Sequence, residues 1–144
     1  MSFAYFDTSV VVKRYISESG SLRVRALLRR HDFLSSAITP VEVMSALCRR
    51  KQSGDVSEEN FSKLLHRLQN DRIQWELVEA GAMVLSRAEE ILQRTVSLRA
   101  LDAIHIASFV TFQATSGIRI PFITSDIRQR DGVERMGLDV VWVG

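Results

Sequence analysis

Cysteine is almost absent. The single thiol, Cys48, has no partner for an intramolecular disulfide, so the fold must hold by packing alone. It lies in Met44-Ser45-Ala46-Leu47-Cys48, a helix-like run where cysteine acts as a small buried hydrophobe, and this usage fits a reducing cytoplasm. Proline and glycine are scarce as well, at 2 and 7 of 144 residues, which excludes collagen-like and low-complexity disordered chains. No window reaches the roughly 18 apolar residues of a membrane helix. The start, Met1-Ser2-Phe3-Ala4-Tyr5-Phe6-Asp7, lacks the basic segment and apolar stretch of an export signal. Neither export nor membrane insertion is expected.

What is present is the profile of a globular protein: 46% hydrophobic and 25% charged residues. A chain of this length makes one domain, residues 1–144, able to bury roughly two thirds of its unfolded surface without staples. The formal net charge is +2, from 19 basic and 17 acidic residues. Set aside the four acids discussed below and the remainder carries 19 against 13, or +6. Most of the cations are arginines, including Arg29-Arg30, Arg49-Arg50-Lys51 and the pair Arg128 and Arg130. Arginine can grip phosphate with two parallel hydrogen bonds, so a basic exterior around acids suits a polyanion. Charge runs on helices also serve as plain solvated faces.

Strand-like and helix-like runs alternate from end to end, which argues for a parallel sheet with helices on its faces. Strands are expected at 3–6, 33–37, 73–78, 121–124 and 139–143, and helices at 9–16, 22–30, 39–52, from Ser57 onward, 80–93, 98–115 and 126–136. Gly20 separates the first two helices. Thr39-Pro40 reads as an N-cap followed by proline in the first turn. The helices before and after Ser53-Gly54-Asp55 form a helical hairpin, the second carrying Phe61, Leu64, Leu65 and Leu68 on one stripe. No internal repeat or linker is evident.

Four carboxylates stand out against this pattern: Asp7, Glu42, Asp102 and Asp126. Each lies where an apolar run meets a helix start or within an apolar helical run, and an isolated buried carboxylate costs several kcal/mol or more. Asp7 ends the first apolar run, at the strand edge where open α/β sheets bind ligands; alone, it could be an N-cap. Glu42 stands three residues after Thr39, the spacing of a capping box, yet the same turn would aim it toward Asp7. Asp102, inside Leu101-Asp102-Ala103-Ile104-His105-Ile106-Ala107, is the least comfortable, although a helix-start charge is favoured by the helix dipole. Asp126 follows a strand, and Ser125 could cap the next helix and leave it free. His105 reads as a neutral hydrogen-bonded core histidine, and Asp131 as a surface or turn residue with at most a minor share in a site.

Shifted pKa values or a hard cation would each account for four such acids. An all-oxygen set without cysteine or a convincing histidine points to Mg²⁺ or Mn²⁺ over zinc. A cation held there could activate water for in-line attack on a phosphodiester and neutralise the leaving oxygen.

The pattern resembles the PIN-domain nucleases, and more narrowly the VapC-type toxins of toxin–antitoxin pairs. The resemblance rests on Tyr5-Phe6-Asp7-Thr8-Ser9, Pro40-Val41-Glu42-Val43, the run from Leu98-Arg99-Ala100-Leu101 through Ala107, Thr124-Ser125-Asp126 and Gly137-Leu138-Asp139-Val140, and so covers nearly the whole chain. It implies a three-layer α/β/α fold with a central parallel five-stranded sheet. It also implies Mg²⁺- or Mn²⁺-dependent endoribonuclease activity, with tRNA or ribosomal RNA as targets, a homodimer, and a VapB-like antitoxin gripped by the helical hairpin. The metal-holding acids map onto Asp7, Glu42, Asp102 and Asp126, with Thr8, Ser9 and Ser125 as supporting hydroxyls. Arg130-Asp131-Gly132 departs from the small apolar residues expected in the last helix. Two other readings remain open from sequence: a nuclease acting on DNA or flapped junctions, and a non-catalytic binding module whose acids are caps.

Overall fold

The computed structural model describes residues 1–144. Five strands, β1 (Phe3–Phe6), β2 (Asp32–Ser36), β3 (Glu76–Val78), β4 (Phe122–Thr124) and β5 (Val140–Trp142), form one sheet in the order β3-β2-β1-β4-β5. Every pairing is parallel. Seven helices connect them: α1 (Thr8–Tyr15), α2 (Ser21–Arg30), α3 (Thr39–Gln52), α4 (Glu58–Arg72), α5 (Ala82–Arg94), α6 (Ala100–Ser116) and α7 (Ile127–Arg135).

The central strand shows how the sequence builds three layers. Successive strand side chains point to opposite faces. Ala4 and Phe6 therefore enter one core with Val10 and Val11 of α1, Val24 of α2, Leu47 of α3 and Leu68 of α4. Tyr5, between them, enters another with Ile106 and Phe109 of α6 and Val133 of α7. Both faces being covered, β1 is apolar at nearly every position, as parallel sheets require. The result is the expected three-layer α/β/α arrangement around a parallel five-stranded sheet.

From β1 the chain moves outward on one side to β2 and β3, then returns to place β4 on the other flank of β1, followed by β5. The connections leaving β1 and β4 thus diverge, opening a crevice beyond their carboxyl ends. Asp7 follows β1 and Asp126 closely follows β4, so both acids sit at the switch point.

Two helix starts differ from expectation. The N-cap of α3 is Ile38 and not Thr39. The Thr39 hydroxyl, fully buried, pairs instead with Ser35 Oγ at 2.6 Å, and Ser35 donates to the Phe6 carbonyl at 2.6 Å. No capping box forms there, so Glu42 is released from that role. At α7 the reverse holds: Asp126 is the N-cap, while the Ser125 hydroxyl donates to the Val143 carbonyl. The Arg130-Asp131-Gly132 segment is an ordinary part of α7. Gly132 has a use there, because a Cβ would stand 3.2 Å from Ile106 Cδ1 and 3.4 Å from Leu98 Cδ1. Arg130 lies over the Trp142 ring at 4.7 Å from its centroid and pairs with Asp131 at 3.1 Å.

Candidate functional site

Asp7 is fully buried, and its carboxylate is enclosed by donors. Oδ1 accepts from Ser9 Oγ at 2.6 Å and from the Val10 amide at 3.3 Å, which makes Asp7 the N-cap of α1. Oδ2 accepts from Thr124 Oγ1 at 2.7 Å, across the β1–β4 seam. Burial pushes its pKa up to about 6, against the opposing influence of the His105 charge and of the Ser9, Thr124 and Val10 hydrogen bonds. Donors alone do not offset the loss of water around this charge.

Glu42, in the first turn of α3, reaches the same crevice. Its Oε1 accepts from Thr8 Oγ1 at 2.6 Å and lies 2.7 Å from His105 Nε2. Burial acts to raise its pKa, but the His105 hydrogen bond and charge, with the Thr8 hydroxyl, outweigh it and hold the carboxyl below its ordinary value.

Asp102 and Asp126 meet a different environment. Asp102, 9% exposed at the start of α6, accepts the Arg99 amide at 3.0 Å on Oδ2 and Gln129 Nε2 at 3.0 Å on Oδ1. Asp126 Oδ1 accepts the Arg128 and Gln129 amides at 2.9 and 3.1 Å. Gln129 therefore touches both acids, one through its side chain and one through its backbone.

Thr8, Ser9, Glu42, Leu101 and Ser125 line one open cleft of about 520 Å³, so residues beside each of the four acids border a common space. Glu42 itself forms part of its wall. Asp7 does not line the cleft; it connects to it through Ser9, whose hydroxyl also accepts the Ser125 amide at 2.9 Å. Lys13 and Arg49 contribute positive charge to the same cleft. Lys13 is held by Glu18 at 3.5 Å, whereas Arg49 donates to the Ser45 hydroxyl at 2.9 Å.

The donor chemistry suits a hard divalent cation, since every acid offers oxygen and the buried Asp7 carboxylate has no cationic partner in contact. As arranged, however, no three carboxylate, imidazole or thiol side chains stand close enough to share an ion. Asp102 and Asp126 are turned toward the amides of their own helix starts.

Two participants escaped the sequence reading as site members. His105, 1% exposed, is the hydrogen-bonded core histidine expected, but its Nε2 faces Glu42 and lies 3.1 Å from Thr8 Oγ1. Only its spacing of one helical turn from Asp102 hinted at this. Gln129, three residues past Asp126, had no visible signal, because its partner Asp102 is 27 positions away.

Comparison with known proteins agrees with this geometry. The PIN domain family matches residues 4–132. Ribonuclease VapC46 of Mycobacterium tuberculosis is 32% identical over 142 residues, covering 98% of each chain. Ribonuclease VapC45 of the same species is 33% identical over 109 residues, 75% of each chain. Two solved structures share the fold: a toxin–antitoxin complex from Klebsiella pneumoniae (TM-score 0.62, 18% identity, 98% of both chains), and VapBC2 from Rickettsia felis bound to a promoter DNA fragment (TM-score 0.64, 13% identity, 99% of this chain and 100% of that one). With motifs, topology and full-length similarity in accord, the chain belongs to the PIN domain family, alongside the VapC proteins.

Proposed function

We propose that the protein is an endoribonuclease that hydrolyses RNA phosphodiester bonds with Mg²⁺ or Mn²⁺ and serves as the toxin of a VapBC-type pair, restrained by a VapB-like antitoxin and acting as a homodimer. The observation that carries this reading is the fully buried Asp7 carboxylate, hydrogen-bonded through Ser9 to the wall of a cleft that Glu42, Lys13 and Arg49 also line. Similarity to the VapC ribonucleases along the whole chain supports the substrate class.

In this reading Asp7, Glu42, Asp102 and Asp126 hold the cation. Bound there, it would supply Lewis acidity for activating water and neutralising charge on the phosphoryl group. The protein's own groups do the positioning. Ser9 and Thr124 fix the two oxygens of Asp7, and Thr8 holds one oxygen of Glu42. Lys13 and Arg49 offer positive charge to the phosphodiester backbone. Val12, Ala46 and Leu101 supply the apolar part of the cleft wall.

A non-catalytic binding module is favoured by one observation, the capped state of Asp102 and Asp126. Incubating the purified protein with labelled RNA and DNA side by side, in Mn²⁺ and in EDTA, decides among the readings. Cleavage of RNA only with Mn²⁺ is expected. Cleavage of DNA in preference to RNA would redirect the assignment. If Mn²⁺ changes neither the melting temperature nor cleavage, the binding-module reading stands instead.

A further inference from the structure

Tyr5 and His105 are 100 positions apart, yet their side chains meet inside the core beneath α6, the phenol oxygen 2.8 Å from His105 Nδ1. Both are buried, at 0% and 1% exposure. An apolar core needs neither group, and a buried polar pair of this kind must be satisfied at both ends to be tolerated. The far end of the imidazole is satisfied by the Glu42 carboxylate at 2.7 Å. The chain Tyr5–His105–Glu42 thus runs from the middle of β1, through the helix behind the sheet, to the wall of the cleft.

Its direction follows from donor and acceptor chemistry. A carboxylate only accepts, so an imidazole nitrogen 2.7 Å from Glu42 Oε1 must carry hydrogen. With hydrogen on Nε2, the neutral form of the ring accepts from the Tyr5 phenol at Nδ1, and the charged form donates from Nδ1 to the phenol oxygen; in both, Nε2 donates to Glu42. The Tyr5 ring cannot turn away, because it is stacked on Phe122 with centroids 5.1 Å apart and set edge-on to Phe109 at 5.9 Å. Packing of the apolar core therefore orients a phenol that partners Nδ1, and the acceptor-only Glu42 carboxylate fixes hydrogen on Nε2, which donates to Oε1. Thr8 donates to that same Oε1 at 2.6 Å. Neither donor engages the second carboxylate oxygen.

From this arrangement we infer that His105 is a positioning residue for Glu42: held by Tyr5, it pins Oε1 together with Thr8 so that Oε2 is presented to the divalent cation. The role rests on the metal-dependent reading given above. Carboxylate ligands are commonly held by such hydrogen bonds, and losing one lowers metal affinity by about 10–100-fold.

The test uses the full chain and Mn²⁺ alone as ligand, with affinity measured by calorimetry and folding checked by thermal unfolding in EDTA. His105→Leu should weaken Mn²⁺ binding about 10–100-fold at temperatures where the variant is folded. His105→Gln, which can still donate toward Glu42, should recover most of that loss. Tyr5→Phe keeps the stacked ring and removes only the hydroxyl; it should give a smaller loss in the same direction. Imidazole nitrogen NMR of the wild type should show Nε2 protonated. A folded His105→Leu with wild-type Mn²⁺ affinity, or a bare Nε2, would overturn the positioning role. If Glu42→Gln and Asp7→Asn also bind Mn²⁺ as the wild type does, the metal reading falls and the positioning role falls with it. Loss of binding in those two but not in folded His105→Leu removes the positioning role alone.

Discussion

The two halves of the candidate site satisfy their carboxylates with different proportions of side-chain and backbone donors. On the β1–α3 side the donors are mostly side chains, Ser9 and Thr124 on Asp7 and Thr8 and His105 on Glu42, with a single amide, that of Val10, on Asp7. On the α6–α7 side, Asp102 and Asp126 accept backbone amides at their own helix starts, and Gln129 adds one side-chain donor to Asp102. An acid at a helix N-terminus is stabilised by orphan amides and the helix dipole without any cation. Asp102 looked the most awkward of the four in sequence, but its neighbourhood satisfies it. The uncomfortable acid is Asp7, buried to 0% exposure with a raised pKa. The comparison teaches that a place at a helix start is not enough by itself: Asp7 also caps a helix, yet it is sealed behind a sheet seam, and that desolvation raises its pKa.

The largest expected effect separates catalysis from capping. Asp7→Asn should lower Mn²⁺-dependent RNA cleavage by about 100-fold or more while the protein stays folded, as several kcal/mol of charge stabilisation are lost. Asp102→Asn should do the same if the capped half also serves the cation. Wild-type cleavage in Asp102→Asn with loss in Asp7→Asn would break the site in two and leave the α6–α7 side structural.

Next in size is the pH dependence of stability in EDTA. Asp7 is raised from 3.8 to about 6, so the folded state binds a proton more tightly than the unfolded chain. The stability this provides is fully present below about pH 4 and is lost as pH rises through about 6, amounting to about 3 kcal/mol. Urea unfolding across that range should show the decline, and Asp7→Asn should flatten it. Added Mn²⁺ should oppose the decline by favouring the ionised form. Glu42 has the opposite sign: its lowered pKa contributes stability above the ordinary glutamate value that is lost on acidification. A profile that rises from pH 4 to 7 in EDTA would contradict the assignment to Asp7.

On the other side of the comparison, Gln129→Leu removes the donor to Asp102 Oδ1. A buried acceptor left without its partner costs about 1–3 kcal/mol, and the lower part of that range is expected, because the unpartnered Gln129 Oε1 disappears with it. Chemical denaturation measures this directly. No change would mean that the Arg99 amide suffices. The smallest effect concerns the cleft rim: Arg49→Ala should leave stability unaltered, weaken RNA binding, and reduce the slope of log affinity against log salt by about 1. An unchanged salt slope would remove Arg49 from the RNA path.

Much of the fold was legible because parallel strands buried on both faces are short apolar runs, and because the break at Gly20 and the helix start at Ser57 are local signals. Gly20 indeed has φ 87°, and Ser57 accepts the Asn60 amide at 3.2 Å. The misread caps were those where a residue has two attainable partners. Thr39 could cap α3 or pair with Ser35, and burial against β1 decided for Ser35. Ser125 and Asp126 could each cap α7; the Val143 carbonyl, just past β5, took the serine and left the helix to the aspartate.

Residue order alone determined the alternation of strands and helices, the positions of the acids at element ends, and the all-oxygen character of the set, since each depends on neighbours within a turn or a strand. Tertiary structure decided which carboxylate is desolvated, which is capped, and that a tyrosine from the first strand meets a histidine 100 residues later. The physical reason is that burial and hydrogen-bond partnership are properties of surfaces brought together by the sheet's switch point. No local window of the chain contains both sides of that contact.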